Sequence, residues 1–178
     1  SGSQELAQGS SEQASSLEEI ASSSEEMKNL TEENVKKSEH GKTTASSAMK
    51  DVKTGNAQMI KMKEMLLGIK KNGKKVIIAG NGGSAAMASH VAVDFTKQGG
   101  IRTVNFNEYD LITCFANDYG YENWVAKALE FYADKGDLVI LISSSGSSQN
   151  MLNAVKTAKS MDLSIITFTG FMKGNFLK

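Results

Sequence analysis

Proline is absent from this chain, and cysteine occurs once, as Cys114. A lone cysteine excludes an internal disulfide and suits a reducing compartment, so a cytoplasmic location is expected. Cys114 itself is expected to be a buried small residue rather than a nucleophile. No apolar run approaches the roughly 18 residues that a membrane span needs, and no signal peptide is evident. Net charge is missing too: 20 Lys and Arg balance 20 Asp and Glu, which leaves no basic footprint for nucleic acid. The opening Ser-Gly-Ser lacks a methionine and reads as the start of a fragment.

The zero net charge hides an asymmetry. Residues 1–34 carry eight glutamates against Lys28 alone, whereas residues 67–178 hold nine acids and twelve Lys or Arg. Without proline, nothing in the first 70 residues forbids a continuous helix. With Leu17 at heptad position a and Ile20 at d, the a positions run from Ser3 to Leu66 and the d positions from Leu6 to Ile69. None of these twenty positions is charged, while nineteen charged residues in 1–66 all fall outside them. Ten heptads in phase predict a coiled-coil helix or a helical hairpin over residues 1–64. Serines, Gln13, Asn34 and two glycines make the seam weak, so helical partners are expected. Gly41 and Gly55, both at d, are the expected places for a bend or loop.

The stretch GSQELAQGSSEQASSLEEIASSSEEMKNLTEENVKKSE, residues 2–39, resembles the cytoplasmic signalling helix of methyl-accepting chemotaxis proteins. That resemblance implies methylation of paired glutamates flanked by small residues. Glu19, within Ser15-Ser16-Leu17-Glu18-Glu19-Ile20-Ala21-Ser22, fits the pattern, and Glu26 follows one heptad later. Esterifying either would relieve like-charge repulsion in an acidic bundle.

From residue 67 the pattern changes. Apolar runs at 76–79, 102–106, Leu138–Ser143 and Ser164–Thr169 alternate with helix-like stretches at 84–97, 110–133 and 150–161, the middle one interrupted near 117–120. Such alternation predicts an α/β fold over 65–178, a three-layer parallel sheet of about four strands flanked by helices. Ligands in such sheets bind beyond the carboxyl ends of the strands. Two of those ends carry loops suited to an anion. One is Asn81-Gly82-Gly83-Ser84, after a short apolar strand and before a helix, where backbone N–H groups point at a ligand. The other is Ser143-Ser144-Ser145-Gly146-Ser147-Ser148-Gln149-Asn150, whose hydroxyl and amide donors without positive charge suit a phosphate monoester.

With GNGGSAAMASH, FANDYGYEN and SSSGSSQNM in this order, residues 65–178 resemble a sugar isomerase (SIS) domain of the phosphoheptose isomerase type. The resemblance implies that Ser84 and the loop from Ser143 to Ser148 grip the phosphate of a phosphorylated sugar, with Asn81 and Asn150 shaping the pocket and Asp118 lining the sugar side. It also implies aldose–ketose isomerisation, as of sedoheptulose 7-phosphate, with His90 and Asp94 as acid–base groups or His90 as ligand to a divalent metal such as zinc. Where the family carries a glutamate, this chain has Asp94, one methylene shorter. The family continues with a further strand and helix carrying catalytic His and Gln residues, so a sheet edge and an apolar face after the fourth strand are expected to be uncovered. A homo-oligomer is expected. Two other readings stand beside the isomerase: a non-enzymatic signalling protein coupling the coiled coil to a sugar-phosphate sensor, and two coding pieces fused without joint function.

Overall fold

The computed structural model describes residues 2–170 and 175–177 and divides into two compact units, 1–58 and 59–178. A single helix, α1, runs over Gly2–Lys71. The expected break at Gly41 or Gly55 does not occur, and the helix continues through both. Glycine in a helix interior costs about 1 kcal/mol relative to alanine but keeps its N–H, so it weakens the ladder without interrupting it. In the first unit no described residue of α1 is buried. No helix among the described residues is long and apolar enough to cross a membrane.

The second unit alternates strands and helices as the sequence pattern requires. After the last turns of α1 come β1 (Val76–Gly80), α2 (Gly83–Lys97), β2 (Thr103–Asn105), α3 (Tyr109–Tyr119), α4 (Trp124–Tyr132), β3 (Leu138–Ser143), α5 (Gln149–Ser160) and β4 (Ser164–Thr169). The four strands form one parallel sheet in the order β2-β1-β3-β4. Both central strands are buried along their whole length. That is why they read as unbroken apolar runs rather than as alternating ones.

Strand side chains point alternately to the two faces, and the core divides accordingly. Ile77, Ala79, Val139 and Leu141 pack with Trp124, Val125, Ala128 and Leu129 of α4 and with Met151, Ala154 and Ala158 of α5. Val76, Ile78, Leu138, Ile140 and Ile142 pack on the other side with Ala88 and Ala92 of α2 and with Ile69 at the end of α1. Full burial of each such aliphatic side chain stabilises by roughly 1.5–3 kcal/mol. The heptad stripe of α1 therefore has a local use at its end, where Leu66 and Ile69 join the second core.

Beside β4 the last described residues cover part of the face expected to be bare. Leu177 is buried in the first core, and its carbonyl accepts a 2.9 Å hydrogen bond from Thr167 Oγ1. Residues 171–174 lie outside the described residues.

Candidate functional site

β1 and β3 are neighbours, paired from Val76↔Leu138 to Gly80↔Ile142. The chain leaves β1 for β2 on one side of the sheet and leaves β3 for β4 on the other. The crevice between the carboxyl ends of β1 and β3 is therefore the topological switch point of the sheet. Both loops singled out from the sequence open onto it.

The first loop is shaped by glycine. A Cβ on Gly80 would come within 2.7 Å of the Ser84 backbone, so only glycine lets the chain turn so tightly into α2. Gly82 sits at φ +54°, in the left-handed region that favours glycine, and its carbonyl accepts from the N–H groups of Ala85 and Ala86. Gly83 begins α2, and Ser84 lies half-buried in its first turn. No side chain caps this helix, which leaves its positive end to a ligand.

The second loop closes on itself. Ser143 is buried at the end of β3, where its Oγ accepts a 3.2 Å bond from the Gly146 N–H. Gly146 is buried at φ +64°, packed against Asn175. Ser145 Oγ accepts from both the N–H and the hydroxyl of Ser147, at 3.2 and 3.0 Å. Ser144 and Ser147 are exposed, Ser145 and Ser148 half-exposed, and Ser148 caps α5 by its backbone with no side-chain cap bond. Ser143 thus braces the loop from inside, whereas Ser144, Ser145, Ser147 and Ser148 face outward.

A pair of carboxamides joins the two loops. Asn81 Nδ2 donates to Asn150 Oδ1 at 2.9 Å, and Asn150 Nδ2 donates to Asn81 Oδ1 at 2.8 Å. Asn150 Oδ1 also accepts from the Met151 N–H, and Tyr121 donates its hydroxyl to Asn81 Oδ1 at 3.3 Å. Tyr121 was not singled out by sequence reasoning, although it stands inside the quoted FANDYGYEN stretch; a tyrosine directly after the turn glycine was the available signal. Asn107 was missed as well. Its Nδ2 donates to the Ala85 carbonyl and to Ser89 Oγ, at 2.8 and 2.7 Å, and so pins the start of α2.

His90 and Asp94 are close to each other, with Nε2 3.4 Å from Oδ2. The His90 side chain is 82% exposed, on the side of α2 away from buried Ala88 and Ala92. Gly83, Met87, His90 and Asp94 follow one another at spacings of four, three and four, along one helix face. Asp118 is exposed in α3, where its Oδ1 accepts a 2.9 Å bond from Asn117 Nδ2. Cys114 is exposed, not buried as expected, and its Sγ lies 3.7 Å from Asp118 Oδ2. α3 presents Leu111, Ile112 and Phe115 to the core, and Cys114 falls on the opposite side. Glu19 and Glu26 are exposed on α1, in the first unit.

Among the described residues no three metal-ligating side chains gather. His90 and Asp94 alone fall short of the three protein ligands usual for a catalytic zinc.

Comparison with known proteins agrees with this architecture. The SIS domain family matches residues 42–170. The phosphoheptose isomerase of Campylobacter concisus is 39% identical over 115 residues, which cover 60% of this chain and 60% of that protein. The phosphoheptose isomerase of Cytophaga hutchinsonii is 32% identical over 148 residues, 80% of this chain and 77% of its own length. The solved phosphoheptose isomerase from Neisseria gonorrhoeae superposes with a TM-score of 0.62 at 33% identity, over 66% of this chain and 64% of that one. That from Francisella tularensis gives 0.59 at 27% identity, over 64% and 62%. The chain spans less than two thirds of the length of most of these proteins, as with the 60% of the Campylobacter relative. The family match over residues 42–170, the relatives and the solved structures of like fold agree: this chain belongs to the SIS domain family.

Proposed function

We propose that residues 65–178 bind the phosphate of a phosphorylated sugar and interconvert its aldose and ketose forms, as a phosphoheptose isomerase does, with residues 1–64 a separate helical segment. The observation that carries this reading is the Asn81–Asn150 pair, which holds an uncapped helix N-terminus and a serine loop beside one crevice. Ser84 and the Gly82 and Gly83 N–H groups would meet the phosphate from one side. The hydroxyls of Ser144, Ser145, Ser147 and Ser148 would meet it from the other. No cation is needed, because neutral donors and two helix dipoles supply the complementary field. The working setting is a cytoplasmic homo-oligomer.

Isomerisation moves one proton between adjacent carbons and another between their oxygens. His90 would take the proton from the carbon beside the carbonyl and return it to the former carbonyl carbon. Asp94, against Nε2, would orient the ring and leave Nδ1 to the substrate. His90 stands seven residues along α2 from Gly83, about 10 Å at 1.5 Å per residue. That separation favours a long sugar phosphate, with its reacting carbons far from the phosphate.

Two measurements test the reading. Sedoheptulose 7-phosphate should stabilise the folded chain, by about 2.7 kcal/mol at 100 times its dissociation constant, and the purified protein should isomerise it. His90→Ala should abolish turnover and keep the thermal shift. A folded sample with no shift in any sugar phosphate would sink the proposal.

A further inference from the structure

We propose that residues 2–58 pair antiparallel with the same residues of a second copy of this chain. Over this span no described residue of α1 is buried, yet Leu6, Leu17, Ile20, Met27 and Val52, all at a or d positions, are 64–79% exposed. A helix with no buried face stands on intrinsic propensity alone, which is marginal in water, and Gly9, Gly41 and Gly55 lower it further. The uncharged stripe therefore needs cover from a similar stripe.

Charge sets the direction of pairing. Residues 1–34 hold eight glutamates and one lysine, while residues 35–58 hold five lysines against Glu39 and Asp51. Two parallel copies would lay acidic half along acidic half. Two antiparallel copies lay acidic half along basic half. Packed helix axes are about 8–10 Å apart, within the Debye length of about 10 Å at 0.1 M salt, so each half feels the other.

Side-chain size points the same way. Parallel pairing sets a against a and d against d, so that Gly41 and Gly55 each meet themselves and leave voids. Antiparallel pairing sets a against d. In the register where paired numbers sum to 65, Leu17 meets Ala48, Ile20 meets Ala45, Met27 meets Ser38, and Thr31 meets Asn34 at the centre. Leu17, Ile20 and Met27 thus fall opposite small residues, and Gly41 and Gly55 meet Ser24 and Ser10 instead of a second glycine.

Spin labels decide it in the full chain, on a Cys114→Ser background that leaves one cysteine to label. In separate samples Ile20→Cys, Ser24→Cys and Asn34→Cys carry the label, with helical circular dichroism as the check on folding. Antiparallel pairing predicts label separations near 38 Å at Ile20, near 26 Å at Ser24 and under about 20 Å at Asn34, from 25, 17 and 3 residues of offset at 1.5 Å each. Raising salt from about 50 mM to about 500 mM should weaken the pairing roughly tenfold. Short separations at all three positions would mean parallel pairing and overturn the proposal. So would the lack of any dipolar coupling in folded samples, or tighter association at high salt. The proposal does not depend on the sugar-phosphate reading, and enzymatic activity has no part in its test.

Discussion

Asn81 and Asn150 exchange two hydrogen bonds, at 2.9 and 2.8 Å, and in doing so tie the end of β1 to the start of α5 across 69 residues of sequence. The orientation of the pair is set by the backbone. Because the Met151 N–H donates to Asn150 Oδ1, that oxygen must face Asn81 Nδ2, and the second bond then follows. Asn150 is buried, so neither bond is easily replaced by water.

Truncating Asn150→Ala leaves Asn81 Nδ2 without this acceptor and removes one of the two acceptors of the Met151 N–H, which keeps the Ser148 carbonyl. A loss of about 1–3 kcal/mol is expected in denaturant unfolding. The double variant with Asn81→Ala should cost less than the two single losses added together, by about 0.5–3 kcal/mol of coupling. Strict additivity would show that the two loops are not held by this pair.

Glycine in the first loop separates a steric demand from a conformational one. A Cβ at Gly80 meets the backbone of Ser84 at 2.7 Å, whereas a Cβ at Gly83 meets nothing within 4 Å. Gly80→Ala should therefore displace the first turn of α2, destabilise by about 1–3 kcal/mol and abolish the thermal shift with sugar phosphate. Gly83→Ala should be neutral or stabilising by up to about 1 kcal/mol. Equal melting temperatures for the two variants would contradict the close approach.

Much of this was legible in the sequence, and the exceptions have physical causes. Central strands buried on both faces appear as unbroken apolar runs, so β1 and β3 were readable. The glycine and serine loops announced helix N-termini. Strand order was not readable, because the adjacency of β1 and β3 comes from packing across 62 residues, and with it the meeting of Asn81 and Asn150. The orientation of Cys114 was lost for a similar reason: three apolar neighbours in α3 point inward, and it lies on the other side. Gly41 and Gly55 misled because a helix tolerates glycine that costs it stability without removing a hydrogen bond.

At the opposite end of the sheet a buried carboxylate governs the response to alkali. Asp137, 1% exposed, accepts from the N–H groups of Lys75 and Asp134 and lies 2.5 Å from Lys75 Nζ. Burial pulls the Lys75 ammonium down, but its hydrogen bonds to Asp134 and Asp137 outweigh this and raise it above its ordinary value. A raised lysine stabilises fully below the unfolded value of about 10.4 and loses that contribution as pH climbs through the folded value. Unfolding midpoints should therefore fall from about pH 10 upward, and Lys75→Met should flatten that fall. A variant as steep as the parent would place the alkaline loss elsewhere. Asp137→Ala should cost about 3–5 kcal/mol at neutral pH, because it strips the ammonium of its buried partner.

The shortened partner of His90 makes the most direct claim about catalysis. Asp94 reaches only to 3.4 Å from Nε2, beyond good hydrogen-bond length, and it also takes a 3.4 Å bond from Gln98 Nε2. One further methylene, in Asp94→Glu, would let the carboxylate close on the ring without moving the helix, since residues four apart already share a face. If His90 is the base and Asp94 its orienting group, Asp94→Glu should raise kcat with little change in KM, because misplacement by about 1 Å can cost roughly a hundredfold in rate. Asp94→Asn should lower kcat by about 10²–10⁴ while leaving the thermal shift with sugar phosphate intact. Steady-state kinetics alongside ligand-induced melting shifts separate the two effects. A variant that lost the melting shift together with turnover would show Asp94 acting on binding, and the assignment of His90 as base would lose its orienting partner.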